Sequence, residues 1–171
     1  KKKPDIFINV GSAEGYYSVG LKRLLPDTEV FAFDLNPDAQ NKCKILSEKN
    51  SVNVSIEGEF HTDFIKKFEG KTIFFMCDIE GFESQLINEN NIELFKDCDV
   101  CMELHKYNGI HNIEVVPKLF EKSHDIDIIY QDGKSFSVPE VIHKISHLDI
   151  LLSAWEWRSY PTPWLIARKK S

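Results

Sequence analysis

The sequence predicts an α/β protein with a mainly parallel, seven-stranded sheet, helices on both faces and an antiparallel strand at one edge. Three observations carry that prediction. Short β-branched and aromatic runs alternate with segments of helical spacing along almost the whole chain. The run Thr72 to Cys77 is continuously apolar in its middle, as a strand covered on both faces should be. The first apolar run stops at Gly11, and a second glycine, Gly15, precedes a helical pattern. Strands separated by helices need crossover connections, which make them parallel neighbours.

Taken in order, the first strand is Ile6 to Val10. A helix follows Gly15 with Tyr17, Leu21, Leu24 and Leu25 on one face, and stops at Pro26. Glu29 to Phe33 is the second strand. Asn36-Pro37 is a cap residue followed by a first-turn proline, opening a helix whose stripe is Ala39, Cys43 and Leu46. Val52 to Ile56 reads as the third strand, and a short helix then carries Phe60, Phe64 and Phe68. After strand four, Thr72 to Cys77, a helix runs from about Glu83 towards Phe95 and breaks near Asn90-Asn91. Strand five is Asp99 to Leu104, and Ile113, Val116 and Phe120 mark the next helix. Ile126 to Tyr130 is a sixth strand, Asp132-Gly133 a turn, Pro139 to Leu148 a helix, and Trp164 to Ala167 the last strand.

The chain has 171 residues, enough for one domain with a sizeable core, and no apolar run approaches the ~20 residues that cross a bilayer. It opens on Lys1-Lys2-Lys3-Pro4 without a methionine and reads as cut from a longer polypeptide. A net charge of −6 argues against a sequence-blind nucleic-acid binder. Cys43, Cys77, Cys98 and Cys101 form no secreted disulfide pattern, so reduced core thiols and a cytoplasmic location are expected. Cys98-x-x-Cys101 has no second half of a zinc site.

In such a sheet, ligands bind outside the carboxyl ends of the strands, where strand order reverses. The glycine turn lies there. Asp34 closes the second strand 23 residues after Gly11, near the ~20-residue spacing from a glycine turn to a ribose-binding acid. Together they point to an adenosine-containing ligand. The turn reads Gly11-Ser12-Ala13-Glu14-Gly15, so it lacks the close glycines that admit a pyrophosphate and carries an acid in its place. A phosphate-free ligand with a sulfonium and an ammonium, S-adenosylmethionine, suits it better.

These residues resemble the class I S-adenosylmethionine-dependent methyltransferases, and more narrowly the FkbM-like family. Phe7 to Ser18 is similar to the family's first motif, although Asn9 stands where the family usually has an acid. Val30 to Pro37 resembles its second motif. Cys77-Asp78-Ile79-Glu80-Gly81-Phe82-Glu83 resembles its D-[VI]-E-G-x-E signature, and Val100 to His105 its strand-five motif. The resemblance implies a Rossmann-like fold and O-methylation of a hydroxyl on a small molecule or glycan. It implies cofactor contacts at Asn9, Gly11, Ser12, Ala13, Gly15, Tyr16, Asp34, Leu35, Glu57 and Asp78.

The strand tips are chemically unusual on their own account. Asp78 and Glu80 are two apart, as are Glu103 and His105, so each pair points one way in extended chain. Buried unpaired carboxylates are costly, which places them at the open end of the sheet. His105 is the best general base by type, because its reference pKa of about 6.5 lies near neutrality. Glu80 or Glu103 would orient it or share the work, and Asp78 would hold the cofactor's methionine end. The same four groups are also of a type to ligate a divalent ion, but no metal is assigned. His143 and His147 have metal-pair spacing, yet Val141, Ile145 and Leu148 place the buried face opposite them. The aromatic segment from Trp155 to Trp164 would stack on a flat acceptor or plug the edge of the core. Two other readings stay open: a nicotinamide-dependent (NAD) oxidoreductase, and a methyltransferase-like interaction domain without catalysis.

Overall fold

Seven strands form one twisted sheet in a computed structural model that describes residues 3–130, 140, 144–153 and 160–170. In chain order the first five are β1 (Ile6–Val10), β2 (Glu29–Phe33), β3 (Ser55–Glu57), β4 (Ile73–Cys77) and β5 (Cys98–Glu103). A separate two-stranded hairpin, β6 (Lys106–Tyr107) and β7 (Ile110–His111), follows β5. Its turn is Asn108-Gly109, with both residues at positive φ, as a tight two-residue hairpin requires. The last two strands, β8 (His124–Ile129) and β9 (Trp164–Lys169), return to the main sheet, whose order is β3-β2-β1-β4-β5-β9-β8. Strands β1 to β5 pair in parallel, and β9 runs antiparallel to both β5 and β8. The antiparallel strand therefore lies one place in from the edge, and β8 forms the edge itself.

Residue alternation splits the core between two faces. Ile6, Ile8 and Val10 pack with Phe75, Cys77, Val100 and Met102 under Ile87, Phe95, Val116 and Phe120. Phe7, Val30, Ala32 and Met76 face the other way, against Val19 of α1 (Tyr16–Leu24) and Cys43 of α2 (Pro37–Lys49). On the first face, Ile87 lies at the exit of α3 (Glu83–Leu86), Phe95 in a 3-10 turn at Ile92–Phe95, and Val116 and Phe120 in α4 (Asn112–Phe120). Asn36 caps α2 by accepting from the Asp38 amide at 2.9 Å, with Pro37 in the first turn, as expected.

Several elements differ from expectation. Helix α1 buries Ser18 and Val19, while Tyr17 and Leu24 lie exposed, because the chain enters the helix from a left-handed Gly15 that turns the short hydroxyl side to the sheet. Strand β3 starts at Ser55, since Val52 is held at the end of α2 by its amide to the Ser47 carbonyl. The segment around Phe64 is a 3-10 turn, Thr62–Phe68, whose rings pack edge-on or tilted against Phe31 and Phe33. The helix expected from Glu83 towards Phe95 stops at Leu86, before Asn90-Asn91, and only a 3-10 turn, Ile92–Phe95, follows; Asn91 ties the connection by accepting from the Asn88 amide and donating to the Leu86 carbonyl. In the last third the described helix is α5 (His147–Ser153), and Ile145 and Leu148 are exposed, not on a buried face. The turn at Asp132-Gly133, His143 and the segment 155–159 lie outside the described residues. No described helix is long and apolar enough to cross a membrane.

Candidate active site

The glycine turn, the aspartate after β2 and the end of β4 meet over the carboxyl ends of the central strands. Gly11 takes φ +77°, and a Cβ there would sit 1.7 Å from the Asp78 carbonyl oxygen. Gly15 takes φ +90°, and its Cβ would sit 2.4 Å from the Cys43 sulfur. Both glycines are thus required by the protein's own packing. The Ala13 amide donates to Asp34 Oδ2 at 2.8 Å, and the Asn36 amide donates to Oδ1 at 2.9 Å. One carboxylate thereby clamps the loop after β1 to the turn after β2. Each of its oxygens keeps a second lone pair for another donor.

Beside that clamp lies a cavity of about 540 Å³, within the range of small-molecule sites. Five of the residues proposed from the sequence as cofactor contacts, Gly11, Ala13, Asp34, Leu35 and Asp78, line it, and so does the catalytic candidate Glu80. Its apolar walls are Val10, Phe33, Phe60, Ile79, Phe82 and Leu86, none of which the sequence had singled out as a site residue. Phe82 packs against Tyr107 at a centroid distance of 4.6 Å, the rings tilted by 38°.

Five other expected cofactor residues stand apart from this lining. Asn9 is buried on the α1 face, with its amide donating to Ser18 Oγ at 2.9 Å. Gly15 is sealed by Cys43, and Tyr16 projects into solvent at 71% exposure against Tyr17. Glu57 is exposed, and the wall is built instead by the next three residues, Gly58, Glu59 and Phe60. Ser12 is buried beneath the loop, and its Oγ has no hydrogen-bond partner among the described residues.

The acids at the strand tips converge on one ring. His105 Nε2 lies 3.4 Å from Glu80 Oε2, 3.8 Å from Asp78 Oδ1 and 3.9 Å from Glu103 Oε2. Strand alternation is not the cause for Glu80. The chain leaves β4 at Cys77, and left-handed backbone at Glu80 and Gly81 turns the Glu80 side chain back. Nor do all the groups sit at an open end. His105 is 3% exposed and Glu103 2%, because each is hydrogen-bonded inside. Thr162 Oγ1 donates to Glu103 Oε1 at 2.6 Å, and His105 Nδ1 lies 2.8 Å from Oε1 of Glu83. Glu83, fully buried at the start of α3, closes the D-[VI]-E-G-x-E-like stretch, but its sequence position alone did not single it out as a site residue.

Burial raises the Asp78 carboxyl to about 7, helped by the charge and hydrogen bond of Glu103 and by Glu80, and opposed by His105. Burial alone would lower His105, but the Glu83 hydrogen bond and the charges of Glu83, Glu103 and Glu80 outweigh it and raise the ring above its usual value. Asp78 Oδ1 has no hydrogen-bond partner among the described residues. Ligand atoms of Asp78, Glu80 and His105 also lie within 4.8 Å of one another, a spacing a divalent ion could bridge.

No protein-family model and no curated protein matches this sequence. Solved structures do match. One is the O-methyltransferase TomG from Streptomyces achromogenes, involved in tomaymycin synthesis and solved with SAM (S-adenosylmethionine). It has a TM-score of 0.66 and 12% identity, over 98% of this chain and 74% of that one. A second is precorrin-6y C5,15-methyltransferase from Geobacter metallireducens, with a TM-score of 0.65, 14% identity and coverage of 99% and 83%. A third is SMU.1697c from Streptococcus mutans, solved with SAH (S-adenosylhomocysteine), at 0.61, 16%, 99% and 90%. With its strand order and its inserted antiparallel β9, this chain has the Rossmann-like fold that these methyltransferases share.

Proposed function

We propose that this chain is an S-adenosylmethionine-dependent methyltransferase of the FkbM-like type, acting on a hydroxyl of a small molecule or glycan. The observation that carries the reading is that the Asp34–Ala13 clamp and the acids Asp78 and Glu80 share one 540 Å³ cavity, with the buried His105 ring behind those two acids. The residues present fit the cofactor. Asp34 has lone pairs to spare for two ribose hydroxyls, and Leu35, Phe33 and Phe60 offer apolar surface to a flat base. The unpartnered Asp78 Oδ1 suits the ammonium of a methionine end. Two of the similar structures hold SAM or SAH in this fold.

When bound, S-adenosylmethionine supplies a methyl group on a positively charged sulfur. The chain's own residues do the rest. Asp78 and Glu80 surround that end of the cavity with acid, which favours a cation there. His105 Nε2 takes the acceptor's hydroxyl proton, and Glu80 beside it steadies the resulting imidazolium. Phe82 lines the cavity and packs against Tyr107 as a tilted pair, on which a sugar or other flat acceptor can lie. The net charge of −6 favours such an acceptor over nucleic acid.

Calorimetric titration with S-adenosylhomocysteine and with NAD tests this. Binding of the first and not of the second is expected, followed by methyl transfer to a panel of hydroxyl acceptors. Binding of NAD alone would overturn the reading, and cofactor binding with no turnover on any acceptor would favour an interaction domain.

A further inference from the structure

The imidazole of His105 is gripped from behind by a network whose hydrogen-bond directions can be worked out. The Gly81 carbonyl can only accept, and it receives Asn112 Nδ2 at 2.9 Å. That nitrogen is therefore the amide NH₂, in agreement with Asn112 Oδ1 accepting from the Ser84 amide at 3.3 Å. The same NH₂ donates to Glu83 Oε2. The Gly81 N–H donates to Glu83 Oε1 at 3.0 Å. Both oxygens of Glu83 are thus occupied by groups that can only donate. The third partner is His105 Nδ1, at 2.8 Å from Oε1. Between a carboxyl and an imidazole the proton belongs on the ring, which is more basic by about 2 pH units. Nδ1 is therefore N–H, and in the neutral ring Nε2 carries the lone pair.

We propose that Glu83 is the positioning residue of this site: it holds neutral His105 as the Nδ1–H tautomer, with Nε2 turned towards Asp78 and Glu80, and Asn112 anchors Glu83 for that task. The role rests on the reading of His105 as the base. Asn112 opens α4, and its own amide donates to the His105 carbonyl at 3.2 Å. The loop through the β6–β7 hairpin is closed in this way, so the strand bearing the base and the helix bearing the anchor move together. The charged groups facing the ring are Asp78 and Glu80 from the β4–α3 connection, Glu83 from α3 and Glu103 from β5. Only Glu83 is at Nδ1 among these four.

The test is the tautomer of His105, read from long-range proton–nitrogen correlation spectra of protein labelled with ¹⁵N at histidine, at a pH where the ring is neutral. Wild type should show Nδ1 protonated and Nε2 bare; an Nε2–H ring overturns the proposal. This spectrum needs neither cofactor nor acceptor. A protein that binds no S-adenosylhomocysteine yet shows the Nδ1–H ring refutes the methyltransferase reading alone. In Glu83→Gln one amide oxygen faces two demands, the Asn112 NH₂ at one end and the Gly81 N–H at the end that meets Nδ1, so the carboxylate's hold on the ring is lost and a mixture of tautomers is expected. A folded variant whose ring stays purely Nδ1–H overturns the proposal. Asn112→Ala keeps the carboxylate but frees it, and a mixture of tautomers is expected. A pure Nδ1–H ring in that variant removes Asn112 from the assignment. Should Glu83→Gln fail to fold, the wild-type and Asn112→Ala spectra decide.

Discussion

Replacing Asp78 by asparagine should stabilise the folded protein, and the gain should grow with pH. Asp78 is raised from an ordinary 3.8 to about 7, chiefly by burial and then by Glu103. A carboxyl whose folded value lies above its unfolded one takes up protons on folding. Its contribution is fully present below 3.8 and is lost as pH rises through about 7. A difference of about 3 pH units corresponds to about 4 kcal/mol at 1.36 kcal/mol per unit. Asparagine has nearly the same shape and no charge to bury. The stability difference between Asp78→Asn and wild type should therefore widen by about 3 kcal/mol from pH 5 to pH 8. At a urea dependence of about 2 kcal/mol per molar, the two midpoints should separate by a further ~1.5 M. Urea titrations of both proteins at pH 5, 6, 7 and 8 measure this. A separation that stays constant or narrows with pH would refute the idea that a buried acid pair with Glu103 strains this strand end. Under the proposed function the penalty is worth keeping, because the same carboxylate would serve a cation.

Asp34→Ala should weaken S-adenosylhomocysteine binding by about 100-fold or more, since two charge-assisted bonds are each worth roughly 1.5 kcal/mol or more. Calorimetry that finds the affinity unaltered would remove Asp34 from the ribose site. Gly11→Ala should cost at least about 3 kcal/mol, because the new Cβ meets the Asp78 carbonyl at 1.7 Å in a backbone of φ +77°. A thermal midpoint within a degree of wild type contradicts that packing. The raised His105 requires a higher pH to expose its lone pair, so kcat/KM for S-adenosylmethionine, which reports the unliganded protein, should rise through a midpoint above 6.5. A midpoint below 6 would show burial winning over the surrounding acids.

The strand and helix pattern was legible because the sheet is covered on both faces. Continuous apolar runs such as Ile73–Cys77 and caps such as Asn36-Pro37 are local signals that burial reinforces. The convergence of Gly11, Ala13, Asp34, Asp78 and His105 followed from the sheet's topology, since parallel strands bring their carboxyl ends to one side. The hairpin at Asn108-Gly109 carries a strong turn signal, but its strands are two residues each, too short for an alternating pattern to mark them. Glu83 and Asn112 were harder. They stand 29 residues apart and meet only because α3 and α4 start beside the same strand end.

By itself, the sequence determined the seven strands of the main sheet, the end of the sheet where the glycine turn lies, and that Asp34, Asp78, Glu80 and Glu103 stand at strand ends. Tertiary structure alone decided what each polar side chain faces. Asn9 turns to Ser18, away from the cavity, and Glu83 turns to His105, because a buried donor or acceptor takes the nearest partner that three-dimensional packing supplies. The same holds for the glycines. Their positive φ is written in the turn, but the atoms that forbid a side chain, the Asp78 carbonyl and the Cys43 sulfur, arrive from distant elements. Hydrophobic periodicity is a property of neighbours along the chain, whereas hydrogen-bond partnership is a property of neighbours in space.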